Sequence, residues 1–148
     1  KLDATTMSKA AVIYWSMGGN TEAMAFAVAQ GAQEAGLETD IRQVSDITPE
    51  QALAYDALAL GCPAMGAEVL EESEFEPFFT RLEGSLGGRK VALFGSYGWG
   101  DGQWMRDWQA RAEAAGALLC GGEGLIAHEA PDDDAQDACR ALGRSLAE

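Results

Sequence analysis

Three short apolar runs punctuate the chain, at residues 10–15, 57–62 and 91–95, and none of them alternates strictly between apolar and polar positions. A run of that length without a polar face is the pattern of a parallel strand buried on both sides. Between the runs the period becomes helical. The spacing predicts helices over 21–35, stopped by Gly36, over 75–82, and over 103–115, stopped by Gly116, with a weaker one over 49–55. A last helix is predicted to start near Pro131 with Asp132, Asp133 and Asp134 in its first turn, where carboxylates suit the positive end of the helix dipole. Residues 39–44, and 117–120 together with 125–127, complete five strands, and the chain contains no repeat or low-complexity segment.

Alternating strand and helix implies right-handed crossovers, hence an α/β fold: a doubly wound, five-stranded parallel sheet with helices on both faces. Ligands of such sheets bind beyond the carboxyl ends of the strands, where the strand order reverses. Function is therefore expected in the loops that follow the three most apolar strands. Residues 1–9 precede the first run and include Met7; they are expected to be a flexible N-terminal segment or an expression scar, leaving 10–148 as the folded domain.

Composition narrows the partners. With 24 Asp and Glu against 10 Lys and Arg the formal charge is −14, so the chain should repel nucleic acid and anionic membranes, whose binding depends on basic groups. Partners, if recruited by charge, should be basic; acidity that merely keeps a small protein soluble is the plainer alternative. No apolar stretch approaches a membrane span and no leader pattern opens the chain, so a cytoplasmic location is expected. Cys62, Cys120 and Cys139 are odd in number and widely spaced, which predicts buried free thiols rather than disulfides or a zinc site.

The first loop lies in "YWSMGGNTE", residues 14–22. Ser16, Met17, Gly18, Gly19, Asn20 and Thr21 join a strand to a helix, so backbone N–H groups and two hydroxyls converge on a helix N-terminus, an anion site by construction. No Lys follows the glycines as a nucleotide P-loop requires, and the adjacent Gly18 and Gly19 do not fit G-x-G-x-x-G. A neutral loop of donors suits a terminal phosphate monoester; an ordinary capped turn is the alternative.

The third loop, "GSYGWGDGQW", sets Trp99 between two glycines that give it nothing to pack against, so it is poised to stack on a flat ligand. Trp104 and Trp108, four apart on a helical stripe, read as core instead. In the second loop, "GCPAMGAEVLEESEFEPF", Met65 can cover the other face of an aromatic ligand, and Gly66 allows the peptide to Ala67 to reorient. Most of this loop's five glutamates read as a solvated acidic face; Glu68, nearest the glycine, is the one expected to touch a ligand.

"YWS…GNTE", "LGC.AMG.EVLEESEFEPF" and "KVALFGSYGWGDG.WMRD" resemble the short-chain flavodoxins of the clostridial type, and the likeness runs over 10–148. The resemblance implies the strand order 2-1-3-4-5 and a non-covalently bound FMN. It implies that Ser16, Gly19, Asn20 and Thr21 hold the phosphate and that Trp99 and Met65 sandwich the isoalloxazine. The carbonyl at Gly66 would accept a hydrogen bond from flavin N5 in the neutral semiquinone, and the Glu68 carboxylate one from N3–H. Around them, Ala64 and Ala67, with Ser96, Tyr97, Gly98, Gly100 and Asp101, complete the expected cofactor contacts. Two positions depart from the family pattern: Gly18 stands where a Thr is usual, removing a hydroxyl donor, and Ala67 where an Asp often follows the turn glycine, altering the turn's conformational preference.

The function so implied is electron transfer, not enzymatic turnover: a low-potential one-electron carrier shuttling between semiquinone and hydroquinone. It would be a monomer docking acidic face first onto basic-faced redox proteins, ferredoxin or flavodoxin reductases and other oxidoreductases. A carboxylate about 10 Å from a reduced, anionic ring would oppose it by roughly 1.7 kcal/mol at an effective dielectric near 20. No catalytic set accompanies the loops, since His128 is the only histidine. A flavin-dependent reductase would need a further substrate pocket. A phosphoacceptor signalling domain, with Asp56 or Asp101 as acceptor, would need an Asp at the end of the third strand, where Gly61 and Cys62 stand.

Overall fold

Residues 8–148 are described by the computed structural model. β1 (Lys9–Tyr14), β2 (Glu38–Gln43), β3 (Ala57–Gly61), β4 (Lys90–Tyr97), β5 (Leu118–Leu119) and β6 (Leu125–His128) form one parallel sheet in the order β2-β1-β3-β4-β5, with β6 also paired to β4. Between them run α1 (Asn20–Glu34), the single-turn α2 (Pro49–Ala52), α3 (Phe75–Glu83), α4 (Gln103–Ala114) and α5 (Asp133–Ser145). The expected topology is thus present, with one difference. The two segments taken as a fifth strand are separate short strands that cover successive parts of β4's edge, interrupted where Gly121 and Gly122 both take left-handed backbone, at φ +79° and +84°.

Because the central strands are buried on both faces, alternate residues divide the core. Ala10, Val12, Ala57, Ala59, Ala92 and Phe94 point toward α1 and α5. Ala11, Ile13, Leu58, Leu60, Val91 and Leu93 point the other way, into Phe75, Phe79, Trp104 and Trp108 of α3 and α4. Trp104 and Trp108 are core residues, as their spacing predicts, each 1% exposed. Trp108 meets Phe75 and Phe79 edge-on at centroid distances of 5.3 and 5.8 Å. Arg111, stacked on the Phe79 ring, clamps α4 to α3 by pairing with Glu76 at 2.8 Å and Glu83 at 3.0 Å.

Helix ends follow local chemistry. Gly36 and Gly116, both at positive φ, terminate α1 and α4 as expected. Asp132 is the N-cap of α5 rather than part of its first turn, its carboxylate accepting the Ala135 N–H at 2.8 Å. α2 is shorter than the predicted 49–55, held by a reciprocal capping box between Thr48 and Gln51. Of the N-terminal segment 1–9, residues 1–7 lie outside the described residues, while Lys9 opens β1 and pairs with Glu38.

α1 and α5 touch through glycine. A Cβ on Gly31 would run into the Arg140 carbonyl, and one on Gly143 into the Val28 carbonyl. Alanine would gain about 1 kcal/mol of helix propensity, but backbone atoms cannot swing aside as a side chain can, so both helices would have to separate. Gly143→Ala is therefore expected to lower stability by about 3 kcal/mol, read as a fall in the urea midpoint at unchanged m-value.

Candidate functional site

The carboxyl ends of β1 and β3 are level with Phe94 of β4, because Tyr14 pairs with Gly61 and Gly61 with Phe94, and β4 continues three residues further to Tyr97. The three loops that leave them therefore emerge side by side. In the first, the Ser16 hydroxyl oxygen accepts N–H bonds from Gly19 at 3.2 Å and Glu22 at 3.3 Å, which leaves its proton free to point outward. The α1 N-cap is Gly19, at φ +92°, with no side chain to satisfy the first turn. With the Glu22 N–H taken by Ser16, the N–H groups of Asn20 and Thr21 are the ones the helix start leaves as donors. Thr21 is buried, and its hydroxyl oxygen accepts the Ser96 N–H at 3.3 Å, tying this loop to β4.

Ser96 is the junction of the site. Besides that bond, its carbonyl accepts the Ala64 N–H at 3.0 Å and its hydroxyl donates to the Glu129 carbonyl at 2.7 Å. Glu129 in turn donates its N–H to the Tyr97 carbonyl at 2.8 Å, and the His128 ring packs on Tyr97 at 5.2 Å. One residue thus links the loops after β1, β3 and β6.

Between these loops opens a pocket of about 280 Å³. Ten residues expected from the sequence line it: Ser16, Met17, Gly18, Asn20 and Thr21 from the first loop, Ala64 and Met65 from the second, and Ser96, Tyr97 and Gly98 from the third. Trp15, Pro63 and Glu129 line it as well. Seven expected residues do not: Gly19, Gly66, Ala67, Glu68, Trp99, Gly100 and Asp101. Trp99 stands 63% exposed beside the pocket's rim residues, and Asp101 is engaged with Arg106 at 2.9 Å. The Glu68 carboxylate accepts the Gln103 N–H at 2.9 Å, at the start of α4.

The second loop is a tight reversal. Met65 and Val69 exchange N–H···O=C bonds of 2.9 and 3.0 Å across it, with Gly66 at φ +48° and Glu68 at φ +57°. Downstream, the buried Glu71 carboxylate accepts the N–H groups of Ser73, Glu74 and Phe75 and the Ser73 hydroxyl, standing in for the missing cap of α3. Burial alone would raise the Glu71 pKa, but these donors outweigh it and hold the carboxyl below its ordinary value.

A flavodoxin family profile matches residues 12–143. The chain belongs to the flavodoxin family. It is 48% identical to a flavodoxin of Clostridium beijerinckii and 44% to one of Megasphaera elsdenii, in each case over 92% of this chain, covering 97% and 96% of the relatives. The solution structure of two-electron reduced Megasphaera elsdenii flavodoxin superposes with a TM-score of 0.82 at 43% identity, covering 93% of this chain and 98% of that one. Flavodoxins are electron-transfer proteins that bind FMN at this β1/β3 switch point, and this member carries the same fold.

The residues that sequence reasoning missed are those without a motif of their own. Trp15 ends an apolar run and carries no ligand motif; its indole N–H donates to Glu74 at 3.0 Å and its side of the first loop lines the pocket. Glu129 follows a strand too short to stand out, and only its left-handed backbone, φ +57°, marks it as special. Asp56 accepts the Lys9 backbone N–H at 2.8 Å at the amino-terminal ends of β1 and β3, the end of the sheet opposite the pocket. Cys62 and Cys139 are buried thiols, the latter pushed up to about 11 by burial, but Cys120 is only half-buried, a correction to the expectation that all three are buried.

Glu71 gives the loop a pH signature. Its folded pKa is depressed, so its contribution is present above the unfolded value near 4.3 and disappears as pH falls through the folded pKa. Glu71→Gln is expected to cost about 2 kcal/mol at pH 7. Urea titrations of both proteins should show that gap closing below about pH 4.

Proposed function

We propose that this chain carries single electrons at low potential on FMN held in the pocket between the loops after β1, β3 and β4, and delivers them to basic-faced redox proteins. The observation that carries the reading is the convergence of a helix start with free N–H donors, the Ser16 and Thr21 hydroxyls, and Met65 on one pocket.

The residues present fit the group. The first loop offers hydroxyl and backbone donors and no cation, which suits a phosphate monoester bound by hydrogen bonds and the α1 dipole. Gly19, at φ +92°, leaves open space where a side chain would stand, so a phosphate can approach the backbone there. Met65 and the exposed Trp99 supply polarizable and aromatic faces for a flat ring. When bound, FMN supplies reversible one-electron redox chemistry at low potential.

Around it the protein has three tasks. The α1 start and Ser16 anchor the phosphate, Met65 and Trp99 keep water from the ring faces, and the turn at Gly66 presents a reorientable carbonyl to the ring edge. The −14 charge disfavours added negative charge on the ring, keeping the second electron at low potential, and favours partners with basic faces. The protein acts as a monomer without an enzymatic activity of its own. Free thiols suit a reducing compartment, which supports a cytoplasmic location.

Reconstitution tests the assignment. FMN is expected to bind at 1:1 and riboflavin at least about 100-fold more weakly, and stepwise anaerobic reduction should take up the two electrons in separate spectral steps. Equal affinity for FMN and riboflavin would remove the phosphate site; simultaneous uptake of both electrons would remove the one-electron role.

Gly18 allows a sharper check. Its φ is unremarkable and a Cβ there would meet nothing within 4 Å, so Gly18→Thr should fit and restore a hydroxyl donor. One hydrogen bond of about 1 kcal/mol predicts roughly fivefold tighter FMN binding, with riboflavin unchanged, by fluorescence titration.

A further inference from the structure

Glu68 holds a conformation that glutamate rarely adopts. Its φ of +57° lies in the left-handed region, where glycine or asparagine would sit with less strain. Strain of this kind persists where the side chain has a task that its backbone preference opposes.

The task is visible at the other end of the side chain. Gln103 is the first residue of α4, and its N–H is one of the donors that a helix start leaves unpaired. The N-cap, Gly102, has no side chain to accept it. The Glu68 Oε1 does so from 35 residues away, at 2.9 Å, and places a negative charge at the positive end of the helix dipole. Gly100 makes the room. A Cβ at that position would lie 2.5 Å from the Glu68 Cδ, so any other residue would evict the carboxylate.

We propose that Glu68 is a positioning residue, a clasp that caps α4 from the turn after β3 and thereby fixes the spacing between the Met65 and Trp99 walls, with Gly100 as the seat that admits its carboxylate. The inference rests on the flavin reading of the pocket for its consequence, not for its geometry. Oε1 is committed to Gln103, while Oε2 has no recorded partner among the described residues and stays open to the space beside the turn. Clasp and acceptor are thus separable: a glutamine can keep an oxygen on Gln103, and a glycine can keep the turn but not the cap.

The test compares Glu68→Gly, Glu68→Gln, Gly100→Ala and the Glu68→Gly/Gly100→Ala double variant in the full chain. Hydrogen exchange of the Gln103 amide, followed by NMR on the flavin-free protein, reads the clasp directly. Exchange should accelerate at least tenfold in Glu68→Gly and Gly100→Ala and stay within threefold of the parent in Glu68→Gln. FMN and riboflavin should both bind at least about tenfold more weakly to Glu68→Gly, which loses the clasp and the expected N3–H acceptor together while leaving the phosphate loop untouched.

The double variant decides between a clasp and two unrelated defects. If Glu68 and Gly100 act together, the double variant binds flavin no more weakly than Gly100→Ala alone. Multiplying losses, or a Gln103 amide that stays protected in Glu68→Gly, would overturn the proposal. Failure of the flavin reading is distinguishable, because the parent protein would then bind neither FMN nor riboflavin while the exchange result still stood.

Discussion

Everything in the site depends on the register of three parallel strands. Tyr14, Gly61 and Phe94 lie abreast, and the Trp15 N–H continues the ladder to the Gly61 carbonyl at 3.0 Å. Gly61 is there because the Phe94 ring occupies the place its Cβ would take. β4 then runs on to Tyr97, so Ser96 rises past its neighbours and can bond to segments from three other loops. A slip of one residue would turn Ser96 toward the opposite face and break all of those bonds at once. The loops are irregular, but their anchor points are set by the most regular part of the protein.

Much of this order is legible in the sequence, for a physical reason. Strands buried on both faces must be apolar throughout, and glycines after them have little competing explanation, so the strands, the long helices and the pocket's first loop are readable. α2 is short because one capping box holds a single turn, a balance that periodicity does not record. The divided edge strand is hidden for a different reason. β5 is two residues long, and its interruption is set by the left-handed Gly121 and Gly122, not by any change in hydrophobic pattern.

The limits on the site are equally physical. Residue type says that Glu68 is an acceptor, but not which donor it finds; the structure offers it Gln103, because Gly100 leaves a seat and Gly102 leaves a donor unpaired. Glu129 and Pro63 reach the pocket only through the positions of their strands, since neither belongs to a pattern that demands a ligand. Glu71 shows the converse. In a run of glutamates that reads as a solvated face, it is the one drawn inside, because α3 begins without a side-chain cap of its own and needs a carboxylate at that height.

Among the described residues no cation lines the pocket, and that has a consequence for the proposed electron transfer. A lysine would hold a phosphate strongly, as it does in nucleotide-binding loops, but its charge would also act on a reduced ring. At about 10 Å and an effective dielectric near 20, it would stabilise an added negative charge by roughly 1.7 kcal/mol, about 70 mV for one electron. Dipoles and hydroxyl donors act over a shorter range, so on the proposed reading they would bind the phosphate with little reach to the ring. A neutral loop on a chain of charge −14 would therefore separate two demands that one lysine would set against each other, holding an anion at one end of the proposed ligand while resisting a second at the other.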